Sequence, residues 1–210
     1  MSCIVSVCYS DYCTIMGDGR LLNFTEKFPC VESETFRKVI KFNSYVCMGF
    51  TGDPLPVVRV DSDFKDIVND DIRLEEVHDF YIDHIVNQTE KHGDVQLIFS
   101  GKTKYGVYKT YQTQITKDNK STQRVFVPDH SIAVVYSPPL GTDISKIIED
   151  NLNSQLPRIK DIRKIQFAMG VCIIKTAEIN PSVNKNLYFV EASDRIQDNC
   201  KTYNLIIKDI

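Results

Sequence analysis

Four short β-prone runs crowd the first fifty-three residues: Ile4–Val7, Cys13–Met16 ending in Gly17-Asp18-Gly19-Arg20, Arg37–Asn43, and Tyr45–Asp53 with its glycines at 49 and 52. This succession commits the start of the chain to strands, the first beginning two residues behind Ser2. The opening Met1-Ser2-Cys3 then acquires a meaning. A small residue behind an initiator Met lets the Met be removed, which would leave a serine carrying both a hydroxyl and a free α-amine. An α-amine titrates near about 7.7–8.0, so at neutral pH part of it is deprotonated and can relay a proton from the neighbouring hydroxyl through a water. The dipeptide opens many ordinary chains as well, and by itself assigns nothing.

The pattern around it is more specific. Ser2-Cys3-Ile4-Val5-Ser6-Val7, Asp18-Gly19-Arg20, Arg37-Lys38-Val39-Ile40-Lys41-Phe42-Asn43 and Phe50-Thr51-Gly52-Asp53 follow in order. Together they resemble the proteasome β-type branch of the N-terminal nucleophile hydrolases, including the bacterial two-component ATP-dependent peptidase. The resemblance implies an α+β fold, a four-layer α/β/β/α sandwich, and amide hydrolysis through an acyl-enzyme on Ser2. In that reading Lys38 holds positive charge near the hydroxyl, Asp18 fixes the ammonium, Arg20 supports Asp18, and the N–H of Gly52 faces the developing oxyanion. Ser137 would bond the α-amine, and Glu178 would stand where the family has an aspartate. Backbone near Leu22 would pair with a bound peptide, and Phe50 and Asp53 would narrow the cleft against large side chains. Two departures accompany these matches: Pro138-Pro139 follows Ser137, and Pro181-Ser182-Val183 replaces a glycine-bearing turn. Cys3 is a rival thiol nucleophile, one residue late and without a free α-amine. Taken singly, Lys38 and Arg37 also suit a solvated strand face, Asp18 a turn and Gly52 a tight bend. The same resemblance carries the other reading, a non-catalytic scaffold or assembly subunit. It further implies a homo-oligomer, a peptide or small amide substrate, and an ATPase partner by analogy alone.

At 210 residues, 42% hydrophobic and 25% charged, the chain can bury one sizeable core, and no composition shift divides residues 1–210 into two domains. A formal charge of −3 gives no basic footprint for nucleic acid. No run reaches the length of a membrane span, and Met1–Cys13 lacks the charged start and apolar core of a signal peptide, so a cytoplasmic protein is expected. The seven cysteines include no Cys-x-x-Cys spacing, which supports neither a disulfide framework nor a zinc knuckle, and most sit in apolar runs as small buried side chains. No cofactor or metal is expected. His78 and His84 fall on different faces of one helix, His92 and His130 add no ligand spacing, and all read as surface histidines.

Beyond Asp53 the period changes. Leu74, Val77, Tyr81, Ile85 and Val86 repeat as one face of an amphipathic helix, its acidic half leading. Asp53-Pro54-Leu55-Pro56 suits a helix entry after the glycine turn, and the short stretch on to Asp71 is less regular. Strands are expected over Val95–Phe99, Tyr105–Tyr111, Arg124–Val127 and Ser131–Tyr136, with turns at Ser100–Thr103 and Lys117–Ser121. Ser100-Gly101-Lys102-Thr103 ends like a phosphate-binding loop but lacks the earlier glycine, where Gln96 stands. Ile144, Ile147, Ile148 and Leu152 mark a helix over Asp143–Leu156. Ile162–Thr176 is helix or strand by period alone. Leu21–Thr35 reads as a polar connection, and Asn186–Ala192 and Tyr203–Lys208 as closing strands.

Overall fold

The computed structural model describes residues 2–23, 30–88, 92–118, 120–128, 132–156, 161–194 and 203–205. Met1, Pro29, Lys91, His130, Ser131, Cys200 and 206–208, which the sequence reading touched, lie outside them. Among the described residues the chain is α+β, with antiparallel sheets and four α-helices.

The crowded opening runs become β1 (Ile4–Cys8), β2 (Tyr12–Asp18), β5 (Val39–Lys41) and β6 (Val46–Gly52). Leu21–Thr35 is not a plain connection. It carries a hairpin, β3 (Leu21–Asn23) on β4 (Cys30–Ser33), with a bulge between Leu21 and Leu22. β7 (Val95–Lys102), β8 (Tyr108–Ile115), β9 (Ser121–Phe126), β10 (Ala133–Ser137), β11 (Leu187–Ser193) and β12 (Tyr203–Leu205) complete the set. One five-stranded sheet runs β10-β1-β2-β11-β12 and the other β5-β6-β7-β8-β9. β7 continues through the stretch read as a turn at Ser100–Thr103. A Cβ on Gly101 would stand 2.4 Å from the Tyr45 carbonyl oxygen, so the glycine admits a close strand approach rather than a phosphate. The turn itself lies just beyond, where Thr103 N–H donates to the Val107 carbonyl at 2.8 Å.

Three apolar layers place these elements. β1 is buried along its whole length, so its side chains divide between two of them: Val5 and Val7 face one layer, Ile4 and Cys8 another. In the first layer the β1 sheet packs on α3 (Ser145–Ile148), a π-helical turn (Glu149–Asn153) and α4 (Ile162–Ile179). In the second the two sheets meet through Ile4, Ile15, Val39, Cys47, Ile98 and Tyr108. In the third the β6 sheet packs on α1 (Leu55–Phe64) and α2 (Leu74–Val86).

Local causes explain the helices. In α2 the buried Leu74, Val77, His78, Tyr81 and Ile85 form one stripe, and Arg73 N–H donates to Glu76 at 2.9 Å to close its first turn. The irregular stretch after Gly52 holds α1, with Pro56 in its first turn, where a missing N–H costs nothing. Ile162–Ile179, open between helix and strand by period, is a helix of 18 residues. Asp161 caps it by accepting from Arg163 N–H at 2.8 Å. The π-helical turn answers a spacing problem. Ile144, Ile148, Leu152 and Leu156 recur every four residues, slightly more than the roughly 3.6 of an α-turn, and local widening keeps Leu152 and Leu156 on the buried face.

Two histidines depart from the surface reading. His78 is 6% exposed, its ring nitrogens 2.9 Å from Asp79 Oδ1 and 3.0 Å from Thr113 Oγ1, and His92 is 9% exposed. His78 lies edge-on to Phe99 and Tyr111 under α2, since an imidazole with both nitrogens partnered can join an aromatic layer. His84 is exposed and stacks on Phe80. Cys3, Cys8, Cys13, Cys47 and Cys172 are buried free thiols and Cys30 is exposed.

Candidate functional site

The site forms where β1 begins and β2 ends. Antiparallel pairing sets Ile4 opposite Gly17, which brings Asp18 beside the residues preceding Ile4. Asp18 is fully buried and spends both carboxylate oxygens. Oδ1 accepts from Cys3 N–H at 2.9 Å, and Oδ2 accepts from Arg20 N–H at 2.9 Å and from the Lys38 ammonium at 3.1 Å. Lys38 also donates to the Arg20 carbonyl oxygen and is 3% exposed. Ser2, 3% exposed, is thus one peptide unit from the carboxylate that holds the ammonium.

Burial pushes the Lys38 amine below the ordinary lysine range, and the Asp18 charge opposes that shift. Burial, then the Asp18 charge, drives the thiol of the fully buried Cys3 far up, which disfavours its thiolate.

Arg20 supports Asp18 through its backbone. Its guanidinium instead reaches Glu34, at 3.0 Å and 3.2 Å, and the Pro181 carbonyl. Asn184 joins this outer tier. Its Oδ1 accepts from Gly19 N–H at 2.9 Å, while its Nδ2 donates to the Glu34 carbonyl at 2.7 Å and to Glu34 Oε2 at 2.6 Å. Asn186 Nδ2 donates to the same carbonyl at 2.8 Å. The Asn184 bond, then Arg20, holds the Glu34 carboxyl below its usual range. Sequence reasoning missed Glu34, Asn184 and Asn186. The available signal was three asparagines at 180, 184 and 186, because side-chain amides both donate and accept and so suit a clamp between loops.

The later expected supports go elsewhere. Ser137 donates to Gln96 Oε1, leaving Thr51 Oγ1 to donate back to Ser137 at 2.9 Å. Glu178 lies at the end of α4 in an exposed pair with Lys185 at 3.6 Å. Two residues on, Asn180 Oδ1 accepts from both the N–H and the hydroxyl of Ser182, at 2.8 and 2.6 Å. Gly52 has φ +93°, and a Cβ there would stand 2.1 Å from the Asp94 carbonyl oxygen, so the backbone requires glycine whatever the chemistry. Asp53 follows as a loop anchor, accepting from Leu55 N–H at 3.0 Å and Gly93 N–H at 2.8 Å. Phe50 is 3% exposed and meets Phe36 edge-on in the α1/α2 layer. Leu22 is half-buried on β3, opposite Val31.

No group of three or more metal-ligating side chains occurs among the described residues, and no helix among them is long and apolar enough to cross a membrane.

No protein-family model matches the sequence, and no curated protein matches it. Solved structures do match. The Anbu complex from Pseudomonas aeruginosa, solved as a helical assembly, is 14% identical and superposes with a TM-score of 0.69 over 99% of this chain and 88% of its own. Anbu, the ancestral beta-subunit, from Yersinia bercovieri is 14% identical with a TM-score of 0.68 over the same shares. At that identity the likeness is one of fold. It corrects the assignment read from the opening motifs: the structures found are ancestral beta-subunit chains with a proteasome-like fold, and they do not establish N-terminal nucleophile hydrolysis or a two-component peptidase.

Proposed function

We propose that this chain is a proteasome-like scaffold subunit that assembles with copies of itself, its 210 residues forming one domain stacked as a four-layer α/β/β/α sandwich. The observation that carries this reading is the match over 99% of the chain to Anbu, whose Pseudomonas structure is a helical assembly. The three apolar layers agree with the stacking. Sedimentation velocity and negative-stain microscopy test it: oligomers are expected, and a species that stays monomeric at tens of micromolar overturns it.

A second reading is favoured by one observation, the buried Asp18–Lys38 pair at 3.1 Å beside the Ser2–Cys3 peptide. In this reading Ser2, freed of Met1, hydrolyses a peptide or small amide. Its α-amine accepts the hydroxyl proton as Oγ bonds to the amide carbon, and that proton passes to the departing amine as the C–N bond breaks. Lys38 lowers the cost of the oxyanionic intermediate, Asp18 keeps the ammonium in place, and Gly52 N–H is the donor candidate. Water then releases the acyl group. A β-lactone electrophile should add to Ser2, with the adduct seen by mass spectrometry and lost in Ser2→Ala; an unmodified Ser2 in protein shown to lack Met1 sinks the hydrolytic reading and leaves the scaffold standing.

A further inference from the structure

β9 stands apart from the other long strands. Five of its six residues are exposed, whereas β1, β2 and β11 are buried throughout. It is the last strand of its sheet, and among the described residues no strand pairs with its outer edge. The devices that usually blunt such an edge are weak here. Ser121–Phe126 holds unbroken register with β8, without a bulge, and contains no proline or glycine. Val125 and the following Val127 are 52% and 47% exposed. Alternate N–H and C=O groups therefore face outward along a straight row.

The one charge within β9, Arg124, selects what can fill that row. Side chains directly opposite one another in an antiparallel pair share a face. A two-fold axis between copies must then pass through one residue and its own image. An axis at Arg124 sets two guanidiniums against each other, which is destabilising. An axis at Gln123 sets its amide against its own image, where each can donate and accept, with Thr122 opposite Arg124 and Ser121 opposite Val125. No like charges then meet, and the regular part of the strand is used. We propose that β9 is a dimerisation edge: two copies of this chain join their sheets by antiparallel pairing of Ser121–Val125 about a two-fold axis at Gln123. This rests on the self-assembly proposed above and assigns one of its contacts an isologous geometry.

The test is a cross-link in the full chain. Gln123→Cys, oxidised with copper–phenanthroline in air, should give a covalent dimer whose 123–123 linkage is identified by mass spectrometry of non-reduced peptides. Arg124→Cys should not link to its image, because this register holds the two α-carbons beyond the roughly 7 Å a disulfide spans. Thr122→Glu places a carboxylate opposite each Arg124 and should tighten the dimer about 2- to 30-fold in Kd by analytical ultracentrifugation, and Thr122→Lys should loosen it by a similar factor. A wild-type chain that assembles while Gln123→Cys yields no 123–123 link, or while both Thr122 variants keep the wild-type Kd, overturns the β9 edge and leaves self-assembly intact. Preferential linkage of Arg124→Cys overturns the register. A wild-type chain that remains monomeric overturns both proposals.

Discussion

The candidate site has an early half and a late half, and the two met different fates. Asp18, Arg20 and Lys38, drawn from the first strands, converge on one buried carboxylate next to Ser2. Ser137 and Glu178, drawn from β10 and the end of α4, are held by Gln96 and Thr51 and by Lys185. The difference lies in which partners reach each half. Asp18 is fixed by its register with the neighbouring strand, and Lys38 directly precedes β5, with its carbonyl accepting Phe50 N–H at 3.0 Å. Ser137 is equally fixed by register, opposite Ile4, and Glu178 sits on α4, but Gln96, Thr51 and Lys185 supply their partners. The clamp that does bridge the halves is Asn184, on a different residue from any expected.

The largest effect that can break this contrast is at Lys38. Lys38→Met strands a buried carboxylate, and about 3–5 kcal/mol should be lost in urea unfolding. A loss below about 1 kcal/mol would mean that the early half is no more locked than the late one. Asn184→Ala removes the bonds to Gly19 N–H and to Glu34, and about 1–3 kcal/mol should follow. The same variant sharpens the contrast through pH. A carboxyl depressed in the folded state contributes stability that is present above its unfolded value and fades as pH falls through the folded one. Glu34 should therefore add to acid sensitivity below about pH 4.5, and Asn184→Ala, which removes the leading cause of the depression, should flatten unfolding free energy against pH there. Glu178→Ala should have the smallest effect, within about 0.5 kcal/mol, because its pair with Lys185 is solvent-exposed on both sides. A larger loss would place Glu178 back among the supports.

Much of the fold was legible because its signals are local. The strands at Ile4–Val7, Val95–Phe99 and Asn186–Ala192 and the helix at Leu74–Val86 announced themselves by β-prone runs or by a helical stripe. The β3–β4 hairpin escaped, and of α1 only the entry at Pro54-Leu55-Pro56 was read. The hairpin strands are only three and four residues long, too short for an alternation to show. His78 looked like a surface residue because polarity was read in place of partners, and Thr113, which satisfies it, lies 35 residues away.

By itself the sequence determined the strand and helix periods over much of the chain, and the resemblance carried by its opening motifs singled out Asp18 and Lys38. The periods follow from the geometry of strand and helix, a property of the covalent chain. Only the tertiary structure decided that Arg20 turns its guanidinium to Glu34, that Asn184 rather than Glu178 reaches the site, and that no strand among the described residues pairs with the outer edge of β9. Each of these depends on which groups compete for a partner once distant elements pack, and a buried donor or acceptor takes whichever partner the packing brings within reach.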